Sequence, residues 1–148
     1  MWIVIISILI DQISKYLVCN IKETITVVPK LLSIEYIENY GAVFGIMQGS
    51  NSILALVSLS ICIAIIVYIL RLKKRKEKIP LAWYFILAGG IGNLIDRLVR
   101  GYVVDFIATP FIATFNIADS LVVIGVFLIA IREIWNMIKN SKEEKNES

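Results

Sequence analysis

The sequence predicts an all-α membrane protein with four transmembrane helices and a small extracytoplasmic β-sheet between helices 1 and 2. Hydrophobic residues make up 58% of the 148 residues, and the mean hydropathy is +0.80. Soluble domains are only about 45–50% apolar, so a soluble helical protein would need an unusually apolar core. A helix that crosses a bilayer needs about 20 mostly apolar residues. Four segments approach that length, and together they predict a single integral membrane domain: residues 2–18, 53–70, 81–99 and 115–131.

The basic residues predict the orientation of these spans. Residues 71–78, RLKKRKEK, hold six Lys or Arg and one Glu, and basic loops between spans stay in the cytoplasm. Both termini are then cytoplasmic, and residues 19–51 and 100–114 face outward. The polar residues 139–148 are expected to form a disordered cytoplasmic tail. We attribute the net charge of +3 to this topology and expect no nucleic-acid partner.

The outer loop over residues 19–51 is predicted to be rich in β-structure. In its sequence TITVVPKLLSIEYIENY, the residues Leu32, Ile34 and Tyr36 alternate along one predicted strand face. We expect a small sheet on the membrane surface. The following NYGAVFG is expected to flex as a lid, with Gly41 and Gly45 as hinges, and a fixed amphipathic plug is the alternative.

The acidic residues separate by type. The eight Glu residues lie in loops, in the tail or at the end of the last span, whereas the four Asp residues lie in or beside apolar segments. An ionisable residue inside a membrane is costly and marks a candidate functional site. The chain has no His, which excludes Ser–His and Cys–His dyads and argues against a zinc site. The four Asp residues are Asp11, Asp96, Asp105 and Asp119.

Two polar stripes fall on predicted helices. Asp11 and Lys15 are four residues apart on the first span and are expected to pair. In the third span, Asp96 is expected to form a structural ion pair with an Arg of its own stripe, while Asn93 and Arg97 present donors to a ligand. That stripe has the spacing i, i+3, i+4 and i+7, and its members are Asn93, Asp96, Arg97 and Arg100.

Asp105 and Asp119 flank the second outer loop. Asp105 follows the third span in the β-branched stretch YVVDF, and Asp119 lies in the first turn of the fourth span. Asn116 stands three residues before Asp119, which predicts a capping arrangement at the helix start. Gly89 and Gly92 on the third span are expected to let another helix approach closely. In the predicted topology, all these polar groups converge on the outer membrane face.

These residues resemble those of the type II, or lipoprotein, signal peptidases. Each motif is weak alone, but five in the family's order together with four spans are specific. The chain departs from the family pattern at Val43, where Ala is common, and in AGGIGN, where GGAIGN is common. The motifs are DQISK at 11–15, NYGAVFG at 39–45, GGIGNLIDR at 89–97, VVDF at 103–106 and FNIADS at 115–120.

The resemblance implies an aspartic endopeptidase of the bacterial cytoplasmic membrane. Such an enzyme removes the signal peptide of a prolipoprotein just before a Cys that carries diacylglycerol. It implies Asp105 and Asp119 as the catalytic pair, with no metal or other cofactor. The expected partners are lipidated prolipoproteins and membrane lipids, and the expected state is a monomer. By the same matching, the residues that line or support the site are Asp11, Lys15, Asn39, Gly41, Asn93, Asp96, Arg97, Asn116 and Ala118.

Other interpretations of the sequence remain open. A proton- or ion-coupled transporter would use the Asp residues as a relay, although a relay needs polar groups across the whole membrane. A non-catalytic membrane adaptor would make the Asp pair incidental. A presenilin-like protease would carry a GxGD signature, which this sequence lacks. A hard-metal site built from Asp carboxylates is a further alternative, and insensitivity to chelators would argue against it.

Overall fold

The computed structural model describes residues 1–21, 23–41 and 51–147. Within these ranges the chain is mostly helical, with four helices and three short strands. The strands form one antiparallel sheet in the order β1-β2-β3. The elements in chain order are α1 (Trp2–Ile21), β1 (Ile25–Val28), β2 (Leu32–Asn39), α2 (Asn51–Lys74), α3 (Leu81–Val99), β3 (Val103–Ala108) and α4 (Ile117–Glu147).

The helices correspond to the four apolar segments and extend beyond some of them, but α4 begins at Ile117, two residues after the predicted start at residue 115. The third helix has the predicted bounds, whereas α2 continues through Arg71 to Lys74 and takes up half of the predicted basic loop. The expectation of a disordered tail is wrong for the described part, because α4 remains helical to Glu147. The sequence after the apolar part of α4 contains no Gly or Pro, so no helix-breaking residue ends it.

The sheet is larger than the sequence predicts. Its third strand comes from the second outer loop, between α3 and α4, and pairs with β2. Ile37 is opposite Asp105, and Asn39 is opposite Val103. The register shifts between Ile34 and Ile37, where β2 holds one more residue than β3. Asp105 therefore lies on a paired strand and not in an irregular loop.

Helix α3 is the central element, and it packs against α1, α2 and α4. The close approach of α1 and α4 depends on two glycines of α3. A Cβ atom built on Gly89 would lie 2.2 Å from the carbonyl oxygen of Ala118. One built on Gly92 would lie 2.7 Å from a carboxylate oxygen of Asp11. Small residues therefore place the start of α4 and the middle of α1 directly against α3.

The outer surface of the helices is apolar. Among the described residues, α1 and α2 are the two helices that are long and apolar enough to cross a membrane, by length and composition. Large apolar side chains are exposed on these helices and on α4, for example Ile6, Leu56 and Phe127. The charged residues Asp11 and Lys15 of α1 and Asp96 of α3 are instead buried. This inside-out distribution is the one expected of a protein surrounded by lipid.

Candidate active site

Lys15 lies at the centre of a buried polar network. It is 0% exposed, and its Nζ lies 2.9 Å from Asp11 Oδ2 and 2.8 Å from Asp96 Oδ2. The same Nζ donates to Asn93 Oδ1 over 3.0 Å. An ammonium group has three protons, so these three partners satisfy Lys15 completely. The predicted pair of Asp11 and Lys15 is therefore part of a larger cluster that joins α1 to α3.

Asp11 and Asp96 each accept a hydrogen bond from the backbone N–H of the residue that precedes Asp119 or Asp105. Asp11 Oδ1 accepts from the backbone N–H of Ala118 over 2.8 Å, and Ala118 immediately precedes Asp119. Asp96 Oδ2 accepts from the backbone N–H of Val104 over 3.2 Å, and Val104 immediately precedes Asp105. Because Lys15 contacts both acceptors, one buried cation connects the starts of α4 and β3.

Asn116 links Asp105 to Asp119. Its side-chain Nδ2 donates to Asp105 Oδ1 over 2.8 Å, and its backbone N–H donates to Asp119 Oδ2 over 3.2 Å. Its Oδ1 in turn accepts from the backbone N–H of Asp119 over 2.9 Å. These reciprocal bonds confirm the predicted capping arrangement. Asn116 is 0% exposed, so a buried amide fixes the two carboxyl groups relative to each other.

Two further Asn side chains hold the outer oxygens of the pair. Asn93 Nδ2 donates to Asp119 Oδ1 over 2.7 Å, and Asn39 Nδ2 donates to Asp105 Oδ2 over 2.8 Å. The Oδ1 of Asn39 accepts from the backbone N–H of Gly41 over 3.0 Å. Each oxygen of both carboxyl groups therefore accepts a hydrogen bond from a neutral donor. Such donors orient the groups without neutralising them.

Asp105 and Asp119 line a cleft of about 1630 Å³. Its walls come from α2, α3, α4, the end of β2 and the segment before α4, and most of the side chains there are apolar. Arg97 is the cation on the wall, and its charge acts on Asp105 and Asp119. The apolar side chains on the wall include Ile37, Ile61, Ile86, Val103, Phe111, Phe115, Val122 and Val123.

Burial raises the pKa of Asp105 to about 6. Hydrogen bonds from Asn39 and Asn116 and the charge of Lys15 oppose this rise, whereas the charge of Asp119 adds to it. A carboxyl group that titrates near neutrality can exchange a proton with a reacting group. The charge of Asp119 thus couples the titration of Asp105 to the charge on its neighbour.

Comparison with known proteins identifies the group of proteins to which this arrangement belongs. Residues 3–135 match the family model described as Signal peptidase (SPase) II. The chain belongs to the signal peptidase II family. This is a family of membrane proteases, so the transporter, adaptor and soluble interpretations of the sequence are set aside.

Curated relatives of the same family are similar over nearly the whole chain. The chain is 39% identical over 139 residues to a lipoprotein signal peptidase of Clostridium novyi, covering 87% of this chain and 93% of that protein. It is 38% identical over 142 residues to one of Enterococcus faecalis, covering 93% and 88%. A solved structure described as a bacterial membrane enzyme superposes with a TM-score of 0.81 at 31% identity, covering 92% of this chain and 87% of that one.

The structure brings the residues matched to the family motifs into one network. Asn39, Asn93 and Asn116 contact the Asp pair, while Asp11, Lys15, Asp96 and Ala118 lie beneath it. Arg97 and Gly41 line the cleft. Asp96 pairs with Lys15 and with Arg100 of its own stripe. The predicted lid, with Val43 and Gly45, lies outside the described residues.

Sequence reasoning missed the role of Gln12. Its Nε2 lies within 3.2 Å of carboxylate oxygens of Asp11 and Asp96 and within 3.1 Å of the Gly92 carbonyl oxygen. Its Oε1 accepts from Arg100 over 3.3 Å. Gln12 therefore completes the cluster around Lys15. The available signal was its position beside Asp11 in DQISK, but the pattern of one helix does not show which neighbour Gln12 meets.

Proposed function

We propose that Asp105 and Asp119 are the catalytic pair of an endopeptidase that cleaves prolipoproteins just before the diacylglyceryl-modified Cys. The observation that carries the proposal is the placement of two carboxyl groups on one cleft, joined by the buried Asn116 and each held by a second Asn. The curated relatives of this chain are named lipoprotein signal peptidases, which supports a lipidated substrate.

The reaction needs one proton on the pair. The ionised carboxylate takes a proton from a water molecule, and the oxygen of that water attacks the scissile carbonyl carbon. The protonated carboxyl donates to the carbonyl oxygen, which gives a tetrahedral intermediate. As the C–N bond breaks, one carboxyl group gives its proton to the leaving amine of the modified Cys, and the other takes a proton from a hydroxyl of the intermediate, which restores one proton on the pair. The products are the signal peptide with a new carboxyl end and the lipoprotein with a free amino end.

The walls of the cleft suit a substrate that remains partly in lipid. Apolar side chains from α2, α3 and α4 surround the polar floor that carries the pair. Each acyl methylene that leaves water contributes about 0.8 kcal/mol to binding, so two acyl chains would dominate recognition. The Asn side chains and Arg97 would orient the peptide, whose scissile bond reaches the two carboxyl groups.

The positions of the aromatic residues support four spans with the pair at the outer face. Trp2 and Trp83 lie near the starts of α1 and α3, and Trp135 lies within α4, each away from the polar network. Counted along their helices, Trp2, Trp83 and Trp135 lie about 20–24 Å from Lys15, Asp96 and Asp119 respectively. Trp residues concentrate at membrane interfaces. The basic residues 71–78 lie at the same end as Trp83, which supports a cytoplasmic location for that end and for both termini.

Cleavage of matched substrates tests this function. Purified protein is incubated with one prolipoprotein in two forms, with and without the diacylglyceryl group, in the presence and absence of EDTA. We expect cleavage before the modified Cys of the lipidated form only, unaffected by EDTA. Equal cleavage of both forms would contradict the lipid requirement, and loss of activity with EDTA would favour a metal site.

A further inference from the structure

A cluster of aromatic and acidic side chains lies on the sheet beside the candidate site. Tyr36 Oη donates to Glu38 Oε1 and Tyr40 Oη donates to Glu38 Oε2, each over 2.7 Å. The hydroxyl groups of Tyr36 and Tyr102 lie 2.9 Å apart, and the rings of Tyr40 and Tyr102 have centroids 5.3 Å apart. We call these four residues the tyrosine cluster.

The tyrosine cluster joins the end of β2 to the start of β3. Asn39 and Val103 are paired in the ladder, so Tyr40 and Tyr102 are the next pair outward. The ends of strands open more readily than their centres. The side chains of the cluster therefore connect β2 and β3 at the end of their ladder that Asn39 and Val103 form, away from the turn between β1 and β2.

Glu38 and Tyr40 lie at the edge of the cleft, but their side chains are on the opposite face of β2 from Asn39. Side chains alternate between the two faces of a strand, so Glu38 and Tyr40 point away from the face that carries Asn39. The ladder register makes Asn39 and Asp105 diagonal neighbours on that second face. The Asn39 amide donates to Asp105 there, and its carbonyl oxygen accepts from Gly41. Whatever holds the end of β2 also sets the position of this amide.

Glu38 is the common acceptor of the cluster. Burial, followed by the hydrogen bonds to Tyr102 and Glu38, raises the pKa of Tyr36, so its phenol stays protonated and donates. The carboxylate of Glu38 offers one oxygen to Tyr36 and the other to Tyr40. A Gln at this position would replace one acceptor oxygen by a donor group, so one of the two hydrogen bonds from Tyr36 and Tyr40 to Glu38 would be lost.

We infer that Glu38 is a positioning residue, which through the tyrosine cluster holds the end of β2 so that Asn39 stays hydrogen-bonded to Asp105. The inference rests on the proposed function, because the position of Asn39 matters to the reaction only if Asp105 takes part in it. Without the cluster, Asp105 would lose the hydrogen bond from Asn39 and keep the one from Asn116.

The titration of the Asp105 carboxyl group tests this inference without an activity assay. The purified full chain is labelled with ¹³C at its Asp carboxyl carbons and followed by NMR in detergent micelles. The sequence has four Asp residues, and the Asp105→Asn spectrum identifies the Asp105 signal. The charged groups that face Asp105 are Asp119 from α4, Lys15 from α1 and Arg97 from α3, and the cluster variants leave all three in place.

We expect Glu38→Gln and Tyr102→Phe each to raise the titration midpoint of Asp105 by about 0.5–1 pH unit. The hydrogen bond from Asn39 stabilises the ionised form of Asp105, and both variants weaken that bond. Asn39→Ala should give a similar shift, and adding Glu38→Gln to it should cause little further change. The matched control is Glu35→Gln in the same strand, whose carboxylate bonds Ser33 over 2.6 Å. This variant should leave the midpoint unchanged.

Unchanged midpoints in folded Glu38→Gln and Tyr102→Phe proteins would overturn the inference, and so would an equal shift in Glu35→Gln. If Glu38→Gln does not fold, Tyr40→Phe and Tyr102→Phe decide the question, since each removes one hydroxyl and keeps its ring. The proposed function fails by a different result, namely cleavage of lipidated substrate by the Asp105→Asn protein, whatever the cluster variants show.

Discussion

At the scale of single residues, Asp96 and Asp105 are two carboxyl groups with similar burial and different hydrogen-bond partners. Asp96 is 0% exposed and contacts two cations, Lys15 and Arg100. Asp105 is 2% exposed, but its side chain accepts from the neutral amides of Asn39 and Asn116 and lines the cleft. Asp96 is therefore held by two charged partners, whereas Asp105 is held by neutral amides on the wall of the cleft.

Asp96→Asn should damage folding more than chemistry. The variant leaves Lys15 and Arg100 buried or half-buried without their shared counter-charge, which costs on the order of 3–5 kcal/mol. Thermal unfolding in detergent should show a large loss of stability. The control Glu77→Gln, which breaks an exposed 3.9 Å pair with Arg75, should change little. A stable Asp96→Asn protein that binds substrate and does not cleave it would instead make Asp96 a catalytic residue.

Asp105 should make the stability of the protein depend on pH. Its pKa is about 6 in the folded protein, above the ordinary value of 3.8, so the folded state binds more protons between these values. The stability contributed by the protonated carboxyl is therefore present below about pH 4 and is lost as the pH rises through about 6. Asp105→Asn should be more stable than the natural chain at pH 8, by on the order of 1–3 kcal/mol.

Thermal unfolding of both proteins at pH 4 and at pH 8 measures this effect. The stability difference between Asp105→Asn and the natural chain should be small at the lower pH and clear at the higher one. An equal difference at the two pH values would contradict the proposed burial of an ionisable carboxyl group at this position.

At the scale of secondary structure, the start of α4 is fixed from two directions. Asp11 of α1 accepts from the backbone N–H of Ala118, and Gly89 of α3 lets the carbonyl of the same residue approach. Asp119 follows Ala118 directly, so its position depends on contacts of residues that take no part in the proposed reaction. Small shifts of α4 would move one member of the pair relative to the other.

Gly89→Ala should therefore reduce both stability and cleavage. The added Cβ would lie 2.2 Å from the Ala118 carbonyl oxygen, which belongs to the backbone, so α4 must move. Overpacking of this kind costs about 1–3 kcal/mol. The neighbouring Gly90→Ala is the control, because its Cβ would meet the Cys62 sulfur at 3.0 Å. Unfolding and cleavage measurements that rank Gly90→Ala as the more harmful change would contradict the proposed role of Gly89.

The elements also show how far the sequence alone predicts the site. Helical periodicity is local, so the helices and the pairing of Asp11 with Lys15 follow from residues close together in the chain. The pairing of β3 with β2 joins residues more than 60 positions apart, as Ile37 and Asp105 show, and no local pattern specifies it. The partners of Gln12 likewise depend on how α1 packs on α3. The five polar motifs predicted which residues meet, but not the contacts between them.

At the scale of the whole molecule, the chain has two chemically different ends. One carries the buried charges, the sheet and the cleft, and the other carries the Trp residues and the basic residues 71–78. This polarity follows from the cost of burying charge in lipid, which leaves ionisable groups either at an interface or in a protein interior. In the proposed orientation, a substrate anchored in the outer leaflet would meet the pair directly.

The orientation of these two ends can be measured by labelling. With both natural Cys residues replaced by Ser, a Cys placed at Lys76 should react with a membrane-impermeant maleimide only after the cells are opened. A Cys placed at Lys30, in the turn between β1 and β2, should react on intact protoplasts or spheroplasts. The reverse pattern would contradict the proposed topology.

The central claim is that Asp105 and Asp119 together carry out the cleavage. The most direct measurement is the turnover of one lipidated prolipoprotein by purified Asp105→Asn and Asp119→Asn proteins, with Glu35→Gln as a folded control. General acid–base catalysis contributes about 10²–10⁴-fold, and each Asn variant should lose at least that factor while remaining folded and able to bind the substrate. Near-normal turnover by either Asn variant would contradict the claim.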